Sequence, residues 1–237
     1  MIKRELKKMI KEAISDGRKG LLEDEAKALL SAYGIAVSKS VSGRWSGSSP
    51  QEIKNAISSL SPPLALKLLS PDIFHKSDVG GVVTNLEKEK EIRQAIIRIE
   101  NNVSKKSPRA KIAGFLLEEM APKGVEVIIG GLRDGQFGPV VMFGIGGIVV
   151  ELLKDVSYRL APIQKIEALE MMKEVKSYPL LTGFRGLRPA DMDKLADAIV
   201  KVSEIITEME EIREMEINPL IASETDAIAV DVRVLFG

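Results

Sequence analysis

The sequence predicts an α+β fold in two lobes, on three observations. Segments with helical periodicity lie beside short apolar runs bounded by Gly, Pro and Ser. The first half mixes the two kinds, whereas the second half is richer in strands joined by glycine-bearing turns. No repeat or low-complexity tract is evident, and 237 residues with 45% hydrophobic side chains allow one large domain or two lobes sharing a site, at roughly 150 residues per domain.

Taken in order, Ile2, Leu6, Met9, Ile10, Ala13 and Ile14 recur at helical spacing, and Gly17 and Gly20 end that helix. A second helix is expected over 23–33, stopping at Gly34, then a strand over 35–41. The turn-rich stretch 42–50 leads into a helix over 50–60 with Pro50 at its start. Residues 64–69 read as a strand with Lys67 embedded in it, 70–78 as a loop and 81–86 as a strand. Ile92, Ile96, Ile99 and Val103 then share one face of a helix.

In the second half, strands are expected over 114–119, 125–132, 139–143 and 157–163, followed by helices over 165–176 and 190–213. The chain ends in a hairpin-like pair, 214–221 and 227–236, around the turn 223–226.

Composition excludes several functions. The 34 basic and 34 acidic side chains cancel, so no broad positive field is available for nucleic acid or an acidic membrane surface. The uncharged, largely apolar stretch 137–150 is broken by Pro139 and four glycines besides, and it is shorter than the roughly 20 residues of a membrane span. The first residues alternate charge with isolated aliphatics and lack a secretory apolar region, which makes the cytoplasm the expected location. Zero cysteines exclude disulfides and thiolate metal sites, and a single histidine excludes sites with two imidazoles. Any metal must therefore be held by oxygen.

Phe143-Gly144-Ile145-Gly146-Gly147 lacks the third spaced glycine of a dinucleotide fingerprint, and no phosphate loop of the Gly-Lys-Ser/Thr type occurs, so these glycines read as a tight turn or close backbone packing. Lys67, flanked by leucines, either snorkels from an edge or points into a cleft that takes anions. His75, in a polar loop, is either solvated or a nucleophile. Glu118, Glu119 and Met120 close an apolar strand and Glu126 begins the next, as a charged turn or a hinge for a base and a ribose. Glu216 and Asn218 share one strand face, and antiparallel pairing brings Asp231 to them. Such oxygen donors suit magnesium, with room left for phosphates and water.

In their order along the chain, five motifs resemble the beta subunit of the ADP-forming acyl-CoA (acetyl-CoA) synthetases, an ATP-grasp family related to the succinyl-CoA synthetase beta subunit. These are Leu66-Lys67-Leu68, the run from His75 to Val82, the run from Glu118 to Glu126, Phe143 to Gly147 with Glu151, and Glu216 to Leu220 before Asp231. The resemblance implies a single ATP-grasp domain over 1–237, with a smaller lobe of 21–112, a larger lobe of 1–20 and 113–237, and a nucleotide cleft between them. It assigns Lys67 to the ATP phosphates, Glu118, Glu119 and Met120 to an adenine hinge, Glu126 to the ribose, and Asn218 and Asp231, with Glu216 beside them, to magnesium.

The implied reaction converts acyl-CoA, ADP and phosphate reversibly to a free acid, CoA and ATP through phosphohistidine, with His75 as the phosphoryl carrier. Glu151 or Asp155 would orient its imidazole. The implied partner is an alpha subunit with the CoA-binding domain and a second phosphorylated histidine, in an α2β2 or similar heterotetramer. Two other readings remain: an ATP-grasp acid-thiol or carboxylate-amine ligase that uses acyl phosphate without phosphohistidine, and a nucleotide-sensing subunit without phosphoryl transfer.

Overall fold

A computed structural model describes residues 2–45, 50–146, 154–186 and 188–237. In chain order the elements are α1 (Ile2–Ser15), α2 (Glu23–Ala32), β1 (Ala36–Val37), β2 (Ser40–Gly43), α3 (Pro50–Ser58), β3 (Leu64–Leu69), β4 (Val82–Leu86), α4 (Glu89–Lys106) and β5 (Gly114–Glu119). They continue with β6 (Val125–Asp134), β7 (Gly138–Ile145), β8 (Val156–Leu160), α5 (Lys165–Glu174), α6 (Met192–Glu208), β9 (Ile212–Ala222), β10 (Ala227–Ala229) and β11 (Val232–Phe236). Among the described residues, no helix is long and apolar enough to cross a membrane.

The larger of two compact units comprises Met1–Leu21, Glu25–Val37 and Ala121–Gly237. Its seven-stranded sheet runs β1-β10-β9-β6-β7-β8, with β11 also paired to β9. All pairs are antiparallel except β1 with β10. Side chains alternate across the sheet. Val127, Ile129, Val141, Phe143, Met215 and Ile217 face the core with Leu195, Ile199, Val202 and Ile206 of α6, each burial worth about 1.5–3 kcal/mol. Gly131 permits the close approach of this helix, since a Cβ there would lie 3.1 Å from Ile206.

Helix α6 begins where the Asp191 carboxylate accepts from the Asp193 and Lys194 amides. It ends at Glu208, short of the expected 213, because the chain turns there into β9. The Arg133 guanidinium takes up the terminal carbonyls of Ile206 and Met209.

The smaller unit comprises Leu22–Asp24 and Ser38–Met120. Its four-stranded antiparallel sheet runs β2-β5-β3-β4. Leu64, Leu66 and Leu68 of β3, with Phe115 and Leu117 of β5, pack on Ile92, Ile96 and Ile99 of α4 and Ile53 of α3. Ala65, Lys67 and Leu69 therefore fall on the opposite face, together with Leu116 and Glu118.

Three expectations are corrected. The strand expected over 35–41 is two strands, since β1 pairs with β10 in the larger unit and β2 with β5 in the smaller. The lobe boundaries at 21 and 112 also move. Residues 25–37 join the larger unit because Ala26, Leu29 and Leu30 pack in its core. Residues 113–120 join the smaller unit because β5 is an inner strand of its sheet. The terminal pair is three strands, with β10 and β11 both on β9 and a break at Val230 and Asp231.

Candidate functional site

In the smaller unit, β3 and β5 set Lys67 and Glu118 on one face, Lys67 opposite Leu116 and Glu118 opposite Ala65. Lys67 is 4% exposed and Glu118 1%. The buried lysine is neither at an edge nor alone: its Nζ lies 2.7 Å from Glu118 Oε1 and 2.8 Å from Glu23 Oε1. Ser38 Oγ donates to Glu118 Oε2 at 2.7 Å. At the other end, Lys76 Nζ lies 3.0 Å from Glu23 Oε2. The result is a chain of contacts, Lys76–Glu23–Lys67–Glu118–Ser38, that alternates cation and anion along its charged members.

Sequence reasoning found Lys67 and Glu118 but missed Glu23, Lys76 and Ser38. For Lys76 the signal was its place beside His75, and for Glu23 no local signal exists, because 44 residues separate it from Lys67.

His75 is exposed and precedes a short 3₁₀ turn, Lys76–Val79, closed by Gly80 in the left-handed region at φ 67°. Around it, the Lys111 amide donates to Asp72 Oδ2 at 2.8 Å, Lys106 Nζ to the Asp78 carbonyl at 2.7 Å and Asn102 Nδ2 to the Gly80 carbonyl at 3.2 Å. The histidine is thus presented on a segment pinned on both sides.

Glu118 directs its carboxylate into this chain, to Lys67 and Ser38. Glu119 is partly buried, its Oε1 accepting from the Ser61 amide at 2.8 Å with Lys39 Nζ 3.8 Å away. The Met120 amide donates to the Pro63 carbonyl at 3.1 Å, and the Met120 side chain is exposed.

In the larger unit, Glu126 is exposed on β6. Its carbonyl accepts from the Gly146 amide at 2.7 Å, and a Cβ at Gly146 would lie 3.1 Å from that same carbonyl group. Close backbone approach therefore explains Gly146, while Gly147 and Glu151 lie outside the described residues.

Strand β9 carries Glu214, Glu216 and Asn218 away from the core. The register sets Arg233 opposite Glu216, and the Asn218 amide donates to the Asp231 carbonyl at 3.0 Å. The structure therefore brings Glu216, Asn218 and Asp231 together. Asn218 Nδ2 donates to Glu216 Oε1 at 3.3 Å, while Arg233 Nη2 lies 3.2 Å from Glu216 Oε2 and 2.7 Å from Glu214 Oε1. Both oxygens of Glu216 are thus engaged by protein.

No group of three or more His, Cys, Asp or Glu side chains able to hold a metal occurs among the described residues. A carboxylate and an amide oxygen, as Asp231 and Asn218 carry, are donors of the type that magnesium takes, completing its shell with phosphates and water.

Asp155 lies in the larger unit, just before β8. Its carboxylate accepts from the Lys176 and Ser177 amides, each at 2.8 Å, and from the Ser177 hydroxyl. Burial pushes its carboxyl up, but the Ser177 hydroxyl and the two amides outweigh that and hold it below the usual carboxylate range. Asp155 thereby anchors the chain just after α5.

The ATP-grasp domain family matches the chain over residues 12–236. The beta subunit of acetate–CoA ligase (ADP-forming) I from Pyrococcus furiosus is 45% identical over 229 residues, covering 97% of each chain. A solved structure of the dinucleotide-forming acetyl-coenzyme A synthetase 1 of Ca. Korarchaeum cryptofilum, with coenzyme A and Ca-AMPCP, matches with a TM-score of 0.92 at 47% identity, over 97% of this chain and 99% of that one. A second structure of that enzyme, with coenzyme A and Mg-AMPPCP and its phosphohistidine segment pointing towards the nucleotide binding site, matches with a TM-score of 0.83 at 44% identity, over 98% and 100%.

Proposed function

The chain belongs to the ATP-grasp family and, within it, to the beta subunits of the ADP-forming acetate–CoA ligases, and from that membership we propose that it is the nucleotide-binding subunit of an ADP-forming acyl-CoA synthetase. The reaction converts acyl-CoA, ADP and phosphate reversibly to a carboxylic acid, CoA and ATP, with His75 passing the phosphoryl group to ADP. One observation carries this reading: the chain's single histidine is exposed on a turn whose next residue, Lys76, joins the buried charge chain of Lys67.

Phosphoryl transfer is mainly positioning and charge neutralisation. Lys67 meets the negative charge of the nucleotide phosphates, and Glu118 with Ser38 holds its ammonium in place. The imidazole of His75 accepts the phosphoryl group on a ring nitrogen, and the turn Lys76–Val79 fixes where that ring starts. Glu119 and Met120 offer backbone groups to adenine, and Glu126 reaches the ribose. Asn218 and Asp231 hold magnesium, which supplies further charge neutralisation at the phosphates, and Glu216 orients the Asn218 amide through its 3.3 Å contact.

The proposed partner is an alpha subunit with the CoA-binding domain and a second phosphorylated histidine, joined in a heterotetramer in the cytoplasm. The test is incubation with γ-labelled ATP and magnesium, with and without that subunit. An acid-labile, base-stable label that disappears in His75→Ala is expected. Label surviving in His75→Ala would instead favour a ligase that uses acyl phosphate alone.

A further inference from the structure

We propose that Arg233 is a positioning residue that masks two carboxylates beside the magnesium donor Asn218, so that the metal enters with the nucleotide phosphates and not ahead of them. The proposal rests on the functional reading above and adds to it the control of one charge. Arg233 lies on β11 opposite Glu216, with Glu214 as its diagonal neighbour on β9. Its Nη2 stands 2.7 Å from Glu214 Oε1 and 3.2 Å from Glu216 Oε2, so one nitrogen bridges both acids. The three side chains are 24%, 30% and 29% exposed, in the order Arg233, Glu214, Glu216, which leaves the row within reach of dissolved ions.

The bridge also settles the amide. A carboxylate only accepts, so Glu216 Oε1 faces the Nδ2 of Asn218, at 3.3 Å, and Oδ1 is the end that the amide turns away, as a cation requires. Arg233 holds the other oxygen of the same carboxylate and so keeps Glu216 in this pose. Released from the guanidinium, Glu216 would become a metal donor in its own right, with the charge of Glu214 two residues away.

Charge then decides the order of arrival. Two carboxylates against one guanidinium leave one net negative charge, and without Arg233 the count is two. Divalent-metal affinity rises with the number of anionic oxygens around the ion. Nucleotide phosphates are repelled by the same charge. Arg233 thus acts in opposite directions on the two ligands, weakening the bare metal and favouring the polyphosphate. A guanidinium that only clamped β9 to β11 would do neither.

The experiment uses the full chain and two probes: manganese alone, followed by the electron paramagnetic resonance of the free ion, and a non-hydrolysable ATP analogue in chelator, followed by calorimetry. Arg233→Met should bind manganese about three- to ten-fold more tightly than the wild type and the metal-free analogue more weakly by a similar factor, the effect of one partly screened charge. Arg233→Lys restores the charge and should return both affinities to near the wild-type values. If Arg233→Met does not fold, Glu214→Gln serves instead: it makes the set neutral and should tighten binding of the metal-free analogue about three-fold or more. Affinities that fall together in Arg233→Met, as loss of a clamp would make them, or that stay unchanged there or in Glu214→Gln, would overturn the inference alone. A wild-type chain that binds no analogue even with magnesium would remove the functional reading and the inference together.

Discussion

The buried chain of charges makes a quantitative prediction about the smaller unit's stability. Glu118→Gln keeps the side chain's shape but removes the negative charge 2.7 Å from the Lys67 ammonium, while Glu23 stays 2.8 Å from it. Breaking a fully buried ion pair costs about 3–5 kcal/mol, and because Glu23 still compensates Lys67 the lower end, about 3 kcal/mol, applies. For a chain of this length that lowers the melting temperature by about 6–12 °C. Lys67→Met should cost a comparable amount, since it removes the cation 2.7 Å from the buried Glu118 carboxylate. The double variant should be less damaged than the sum by about 2 kcal/mol, because neither charge is then left unpaired.

The assay is urea unfolding followed by tryptophan fluorescence. The only tryptophan in the sequence, Trp45, is 6% exposed in the core of the smaller unit and so reports on that unit. Strictly additive costs, or a loss below about 0.5 kcal/mol for Glu118→Gln, would refute the reasoning and place the pair with weak, solvated ones.

Three further outcomes are expected. Asp231→Asn should weaken the magnesium dependence of His75 labelling, measured as a rise in the magnesium concentration for half-maximal label. Asp155→Ala should cost about 2 kcal/mol at pH 7 through lost charged hydrogen bonds. Because the folded carboxyl titrates below its unfolded value, that contribution is present above about pH 4 and fades as pH falls further, so the gap between wild type and variant in thermal melts should close in acid. Gly146→Ala puts a Cβ 3.1 Å from the Glu126 carbonyl, a backbone group that cannot step aside. It should destabilise the larger unit by about 1–3 kcal/mol, read by calorimetry.

Much of the fold was legible where the signals were local. Strands β3 and β5 lie where apolar runs are bounded by Pro63 and Ser70 and by Gly114 and Glu118, and the face shared by Ile92, Ile96, Ile99 and Val103 is the buried side of α4. The split at Ser38 was not legible, because the partners that divide the stretch, β10 and β5, lie far away in sequence and the stretch itself carries no break signal. The extra turn after α6 was hidden for a similar reason: Glu210, Glu211 and Arg213 continue a helical pattern that tertiary pairing of Ile212 overrides.

The site divides in the same way. Pairing of Asn218 with Asp231 follows from strand alternation and could be foreseen. The partners of Lys67 could not, since burial demanded counter-charges without naming them, and Glu23 comes from another element altogether.

Strand β9 has one more consequence. Its carboxylates and amide, Glu214, Glu216 and Asn218, occupy alternate positions to Met215 and Ile217, which are 1% and 0% exposed. Deleting a single residue from this strand would turn the charged set toward α6 and the apolar set toward water, since a one-residue slip reverses every side chain beyond it. The same parity thus encodes both the polar row and the foundation beneath it. A chain that has mislaid the row has also lost its footing, so a well-folded but misaligned site is not among the products that slippage can leave behind.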